Sequence, residues 1–130
     1  MADGETRKIL VVDDEEGVRQ SLQMLLRGEG FEVLEAADGR GVIERVGEEG
    51  IDLVIMDILM PNKEGIETII ELQRKDGALP IIAISGATNA LYLEVAYWMG
   101  ARRTFKKPFD VAALVRAVKE ELVKAARERI

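Results

Sequence analysis

The feature that most constrains the fold is an alternation of five short apolar runs with five segments whose apolar residues recur every three or four positions. The apolar runs predict strands at Lys8–Val12, Phe31–Ala36, Leu53–Asp57, Pro80–Ile84 and Thr104–Lys106. The segments between them predict helices that begin near Glu15, Val42, Ile66, Asn89 and Asp110. Strands that alternate with helices over short connections predict an α/β fold, a doubly wound five-stranded parallel sheet with helices on both faces and right-handed crossovers.

The stretch Asp52–Pro61 contains the most informative of these runs. Its apolar residues Leu53–Met56 are continuous, as in a central parallel strand that is buried on both faces. The run leads directly into Asp57, and a carboxylate at the end of a buried strand is costly unless something binds it. We therefore expect Asp57 to be the centre of a functional site.

Polar residues follow four of the five predicted strands. They are Asp13, Asp14, Asp57, Ser85 and Lys107. Ligands of an open parallel sheet bind outside the carboxyl ends of its strands, so these side chains are expected to meet there. Taken singly, the aspartate pair fits a helix N-cap, the serine a turn and the lysine an exposed side chain. Taken together, their complementary chemistry favours a site.

The residue types in this set point to phosphoryl chemistry with a hard metal ion. The chain has no histidine and no cysteine, which excludes thiolate zinc sites and a histidine base. Three carboxylates repel each other unless a cation intervenes, and oxygen ligands suit Mg²⁺ together with phosphate oxygens. The metal would screen an anionic donor from an anionic nucleophile, and an aspartate can itself form an acyl phosphate. Lys107 and the Ser85 hydroxyl would hold the remaining phosphoryl oxygens.

Length and charge restrict the wider class of protein. The 130 residues suit one domain over 1–130, with a core of about 8–125 and frayed ends. The net charge of -6 argues against direct nucleic-acid binding or an acidic membrane surface. No apolar run approaches the roughly 18 residues of a membrane span, and the start lacks the apolar core of a signal peptide. We expect a cytoplasmic protein.

Four short motifs in order give the sequence a family resemblance. They are Val11–Glu15, Asp57–Pro61, Ser85–Ala87 and Lys107–Phe109. Each is weak alone, but together they resemble the receiver domain of two-component response regulators, over about Lys8 to Ala125. The resemblance implies a flavodoxin-like fold with strand order 2-1-3-4-5.

The resemblance also implies a role for each acidic residue. Asp57 would be the phosphoacceptor. Asp14, Asp57 and the Leu59 backbone carbonyl would bind Mg²⁺ directly, and Asp13 would contact the ion directly or through water.

The same resemblance assigns the remaining site residues and the donor. The Ser85 hydroxyl would move to the phosphoryl group, Lys107 would pair with that group, and the Lys107–Pro108 peptide would be cis. The donor would be a phosphohistidine of a partner histidine kinase or phosphotransfer protein, because this chain has no histidine of its own.

One position departs from the family pattern. Receivers often have Tyr or Phe three residues before the lysine, where this chain has Thr104 with Phe105 beside it. A threonine cannot bury and expose a large ring. We expect the Ser85 shift to be read out more through loop and fourth-helix movement.

The fourth predicted helix is apolar on much of its circumference, which indicates deep burial or a partner. The stripe expected to be buried comprises Leu91, Val95, Trp98 and Met99. Leu93 and Tyr97 lie on another side, where two interpretations remain open. They pack within the monomer, or they form a homodimer or target contact through the fourth helix, fifth strand and fifth helix, a frequent contact surface in receivers.

Three basic residues cluster at the predicted fifth strand, namely Arg102, Arg103 and Lys106. We interpret them as a solvated strand end rather than as partners in intermolecular salt bridges.

Three functions are weighed on these observations. The first is a phosphorylation-switched signalling module, an enzyme only in that it phosphorylates and dephosphorylates itself. The second is a phosphorylation-independent interaction module, which Thr104 favours and the intact site residues oppose. The third is a Mg²⁺-dependent phosphohydrolase, but that class usually has a second aspartate two residues after the nucleophile, where this chain has Leu59.

Overall fold

The computed structural model describes residues 6–59, 65–87 and 90–129, which form five parallel strands and five helices. The strands are β1 (Lys8–Val12), β2 (Glu32–Ala36), β3 (Leu53–Asp57), β4 (Ile81–Ser85) and β5 (Arg103–Lys106). The helices are α1 (Glu16–Gly28), α2 (Val42–Glu49), α3 (Gly65–Lys75), α4 (Leu91–Met99) and α5 (Val111–Glu128). The strand order is β2-β1-β3-β4-β5, so the predicted doubly wound, flavodoxin-like sheet is confirmed.

The sheet separates two apolar layers, because alternate side chains of each strand point to opposite faces. One layer joins Leu10, Val12, Val54 and Met56 to the apolar residues of α2, α3 and α4. The other joins Ile9, Val11, Leu53 and Ile55 to those of α1 and α5. Every residue of β3 is buried, as expected for a central strand covered on both faces.

The strand register determines which carboxyl ends meet. Val12 of β1 lies beside Met56 of β3. The next residues in the chain, Asp13 and Asp57, therefore lie at the same level at the ends of neighbouring strands. Asp57 in turn lies beside Ile84, one residue before the end of β4. The predicted convergence of polar side chains at this edge therefore follows directly from the sheet.

The helices begin within one residue of the predicted starts, wherever those starts lie in the described ranges. Glu15 is the N-cap residue of α1, directly before its first residue Glu16. Helix α2 ends at Glu49, and its C-cap residue is Gly50, whose φ of 66° suits glycine. At the other end of the chain α5 continues to Glu128. The predicted start of the fourth helix at Asn89 lies outside the described residues, as does the Met60–Pro61 end of the central stretch.

The N-terminus of α5 follows the prediction. The Asp110 carboxylate accepts hydrogen bonds from the backbone N–H groups of Ala112 and Ala113, so Asp110 is the N-cap. None of the helices in the described ranges is both long enough and apolar enough to cross a bilayer.

The prediction of a buried stripe on α4 is wrong. Leu91, Trp98 and Met99 are exposed, with Trp98 76% exposed, and Val95 is only half-buried. The fully buried residue is Ala96, because a small side chain lets the helix lie close to the sheet. A helix that is apolar on most sides gives no periodic signal for which side faces inward.

Leu93 and Tyr97 differ in their surroundings, so a different one of the two interpretations fits each residue. Leu93 is half-buried and packs against the core, so it does not form an open contact surface. Tyr97 is 59% exposed and faces away from the core.

The interpretation of the basic cluster as a solvated strand end is wrong for two of its residues. Arg103 Nε lies 2.9 Å from Glu121 Oε2, and Arg103 Nη2 lies 2.9 Å from Glu120 Oε1. Arg102 contacts Glu121 and Glu128. The ion pairs are within the chain and join the start of β5 to α5, a contact that sequence spacing does not reveal.

Candidate functional site

Three aspartates converge at the carboxyl ends of β1 and β3. Asp57 is the last residue of β3 and is 3% exposed, and Asp13 directly follows β1 and is fully buried. Asp14 is exposed beside them. One carboxylate oxygen from each of the three lies within 4.8 Å of the others. The predicted acidic cluster is present.

Lys107, which follows β5, brings an ammonium group to this cluster. Its Nζ atom lies 2.8 Å from Asp13 Oδ2, 3.2 Å from Asp57 Oδ2 and 2.9 Å from Glu15 Oε1. The Lys107–Pro108 peptide is cis, as the resemblance implied. The lysine predicted from the fifth strand end thus reaches two of the predicted acidic residues.

Backbone N–H groups fix the two buried carboxylates. Asp57 Oδ1 accepts a hydrogen bond from the Leu59 N–H at 3.0 Å, and Asp13 Oδ1 accepts one from the Glu15 N–H at 2.9 Å. In both residues the second oxygen, Oδ2, faces Lys107. Each carboxylate is therefore held in one orientation before any ligand arrives.

Ser85 lies at the end of β4 but stands apart from this ion-pair network. It is 1% exposed, and its Oγ accepts a hydrogen bond from the Ala87 N–H at 3.0 Å. The structure places it next to the site, since Asp57 pairs with Ile84, yet its hydroxyl is engaged with the chain that follows β4.

A profile of the response regulator receiver domain matches residues 9–119. The chain belongs to the response regulator receiver family. Its strand order and the position of the aspartate cluster agree with that assignment.

Solved structures of receivers are close to this one in fold. A CheY-like response regulator receiver domain protein from Methanospirillum hungatei superposes with a TM-score of 0.88 and 26% identity, over 95% of this chain and 99% of that one. A putative response regulator from Chloroflexus aurantiacus gives 0.86 and 28%, over 92% and 99%. NtrX from Brucella abortus, solved in complex with ADP, gives 0.88 and 28% over 96% of this receiver but only 29% of the NtrX chain. The matched fold thus spans nearly the whole of the first two solved chains and about a third of the NtrX chain.

Burial dominates the electrostatics of Asp57 in this receiver. Burial raises the pKa of Asp57 from 3.8 to about 6, the Leu59 N–H opposes the rise, the Asp13 charge adds to it and Lys107 opposes it. For Lys107, burial acts to lower the pKa of the ammonium, but the carboxylates of Asp13, Glu15 and Asp57 raise it above its ordinary value. The lysine stays charged, while the charged form of the Asp57 carboxylate is destabilised by its surroundings.

This shift predicts a pH-dependent effect of neutralising Asp57. The folded-state pKa of about 6 lies above the ordinary 3.8, so the contribution of Asp57 to stability is complete below 3.8 and is lost as pH rises through 6. Without metal and above that pKa, Asp57→Asn should therefore raise the free energy of unfolding, by about 3 kcal/mol at most. Thermal unfolding in EDTA, above and below the pKa, measures the difference. Equal melting temperatures of the two proteins above the pKa would contradict it.

The donor atoms of the cluster fit a hard divalent cation. Within the described ranges, Asp13, Asp14 and Asp57 supply three carboxylates and Lys107 one ammonium, which leaves an excess of negative charge among these residues. Oxygen ligands of this type suit Mg²⁺, and receiver domains bind Mg²⁺ at such an aspartate cluster.

Glu15 is the site residue that sequence reasoning missed. It directly follows the aspartate pair in the Val11–Glu15 motif, which is the only signal that the sequence offers. Its side chain reaches Lys107 from 92 positions earlier in the chain, and no local spacing predicts that contact.

Proposed function

We propose that this receiver accepts a phosphoryl group on Asp57, in a Mg²⁺-dependent reaction with a phosphohistidine of a histidine kinase or phosphotransfer protein. The observation that carries the proposal is the buried Asp57 carboxylate, fixed by the Leu59 N–H and contacted by Lys107 at the end of the central strand. A buried carboxylate with a raised pKa and a specific cation partner is typical of a functional site rather than of a fold-stabilising pair.

The transfer step assigns a task to each side chain. A carboxylate oxygen of Asp57 bonds to phosphorus as the P–N bond of the phosphohistidine breaks, and the imidazole leaves with the electron pair. Because this chain has no histidine, the donor must come from a partner. Lys107, already 3.2 Å from Asp57 Oδ2, would then pair with a phosphoryl oxygen.

The proposed metal ligands are Asp14, Asp57 and the Leu59 carbonyl, with Asp13 bound directly or through water. Bound Mg²⁺ neutralises part of the charge that would otherwise repel an anionic donor. Asp14 suits an entry position because it is exposed, whereas Asp13 and Asp57 are buried and fixed.

Ser85 is proposed to respond after transfer. Its Oγ now accepts a hydrogen bond from the Ala87 N–H. A hydroxyl that turns to donate to a phosphoryl oxygen would give up that contact and release the chain that leads from β4 to α4. This is how occupation of Asp57 would change the surface of α4 without a large aromatic ring at Thr104.

The direct test is incorporation of a phosphoryl group from acetyl phosphate, a small donor that needs no partner protein. With Mg²⁺ we expect a single modification by intact-mass spectrometry, located by peptide mapping on the segment that contains Asp57. No labelling, or labelling that maps elsewhere and ignores EDTA, would refute the proposal.

Assembly of the whole site argues against the other two functions. A phosphorylation-independent module has no need for Asp13, Asp57 and Lys107 in mutual contact. For a phosphohydrolase, the position two residues after the nucleophile holds Leu59, whose N–H binds Asp57 and whose side chain has no acid–base chemistry.

The proposed partner surface is α4, through which a homodimer would also include β5 and α5. Its Leu91, Tyr97 and Trp98 side chains are 57%, 59% and 76% exposed, which is unusual for large apolar groups in one short helix. The arginines at the start of β5 are engaged by α5, so the attraction would come from this apolar face rather than from salt bridges.

This surface predicts an effect on assembly. With Mg²⁺ and beryllofluoride, an aspartyl phosphate analogue, the receiver should sediment as a dimer, and Tyr97→Ser should weaken that dimer by about tenfold or more. Met24→Ser is the matched control, since Met24 is 77% exposed but lies on α1. A receiver that stays monomeric with the analogue would contradict the predicted dimer.

A further inference from the structure

The Glu15 carboxylate has no part in the phosphotransfer described above, yet it contacts the Lys107 ammonium. Glu15 Oε1 lies 2.9 Å from Lys107 Nζ. Glu15 is the N-cap residue of α1, where a side chain commonly caps the helix, but it makes no cap hydrogen bond. Its side chain is directed to Lys107 instead.

The carboxylates around Lys107 limit what can bind there. Lys107 Nζ donates hydrogen bonds to Glu15 Oε1 and Asp57 Oδ2, and it lies 2.8 Å from Asp13 Oδ2 as an ion pair. A phosphoryl oxygen that approaches Lys107 therefore competes with these carboxylates for the ammonium. Asp13 and Asp57 are buried and each is anchored by a backbone N–H, whereas the Glu15 side chain is 63% exposed.

Space for a released Glu15 side chain is present. Glu15 and Lys107 line both a cavity of about 280 Å³ above Asp57 and a groove of about 850 Å³ along α1. A carboxylate that turns away from Lys107 at this junction enters solvent and is rehydrated, so its release is inexpensive.

We propose that Glu15 is a positioning residue that competes with the phosphoryl group for Lys107. It holds the ammonium in the unphosphorylated receiver and is displaced when Lys107 turns to the phosphoryl oxygens. The exchange moves no proton and breaks no covalent bond. The inference rests on the proposed function of Asp57. On this inference, the contact of Glu15 with Lys107 stabilises the unphosphorylated state relative to the phosphorylated one.

The test compares Glu15→Gln with Glu16→Gln at saturating Mg²⁺. Glu16 is the matched control because it is the adjacent exposed acid, in the first turn of α1. Its substitution removes the same charge, whereas the contact with Lys107 is made by Glu15. We expect Glu15→Gln to bind beryllofluoride about two- to fivefold more tightly than the unmodified chain, the range for an exposed ion pair, and Glu16→Gln to bind as the unmodified chain does. Labelling by acetyl phosphate should likewise be faster in Glu15→Gln and unchanged in Glu16→Gln.

A second measurement separates positioning from a general effect of charge or fold. The Lys107 side-chain NMR resonances should shift in Glu15→Gln without ligand and stay in place in Glu16→Gln. Equal affinities of the two variants, weaker binding by Glu15→Gln, or an unmoved Lys107 resonance would each overturn the inference. If the unmodified receiver itself fails to bind beryllofluoride, the proposed function fails; if it binds and the variants match, only the role of Glu15 fails.

Discussion

Replacing Asp57 with Asn is expected to abolish Mg²⁺-dependent labelling by acetyl phosphate. The amide keeps the size of the side chain and can still accept the Leu59 N–H bond, but it lacks the anionic oxygen that would bond to phosphorus. The loss should span several orders of magnitude, as when a nucleophile is removed from other enzymes. Intact-mass spectrometry with and without EDTA measures it.

Asp52→Asn is the control for this substitution. Asp52 directly precedes the same strand at its opposite end, where its Oδ2 accepts a hydrogen bond from the Lys8 N–H at 2.8 Å. The amide oxygen can keep that bond, so this variant should label as the unmodified receiver does. Persistent labelling of Asp57→Asn at the original rate would show that another residue is the acceptor.

Replacing Gly65 with Ala should damage both stability and phosphorylation. Gly65 is the first residue of α3, and an added Cβ would lie 2.5 Å from the Ile58 Cα and closer still to the Asp57 carbonyl oxygen. These are backbone atoms, so they cannot turn aside as a flexible side chain would. We expect a loss of about 1–3 kcal/mol in the free energy of unfolding and slower labelling, because relief of the clash moves the backbone of Asp57, the proposed acceptor.

Gly47→Ala is the matched control for the backbone effect. Gly47 lies inside α2, and an added Cβ there meets no atom within 4 Å. This variant should be stabilised by up to about 1 kcal/mol, because alanine favours helix over glycine, with labelling unchanged. Chemical denaturation and acetyl phosphate labelling provide the two readouts. Equal stability of the two alanine variants would contradict this prediction, because it would mean that the backbone at Asp57 and Ile58 moves away from the added Cβ without loss of free energy of unfolding.

The sheet and most of the site were predictable because their signals are local. The apolar run into Asp57 indicates a central strand, and parallel strand ends must meet at one edge. Asp13, Asp14 and Lys107 follow their strands at positions that sequence alone reveals.

The parts that were not predictable depend on tertiary contacts. The inward side of α4 is chosen by the small Ala96 and not by periodicity, so a stripe of larger residues was wrongly expected to be buried. The Arg103 pair with Glu121 and the Glu15 pair with Lys107 each join residues far apart in sequence. A charge pattern along the chain does not contain that information.

The exposed position of Trp98 also has a spectroscopic consequence. Trp98 is the only tryptophan in the sequence, and it lies on α4 rather than among the aspartates around Asp57. The wavelength of its fluorescence emission and its quenching by acrylamide therefore report what covers α4, while mass spectrometry reports the modification of Asp57. The native chain thus carries an intrinsic fluorophore with which cause and response can be followed in one sample.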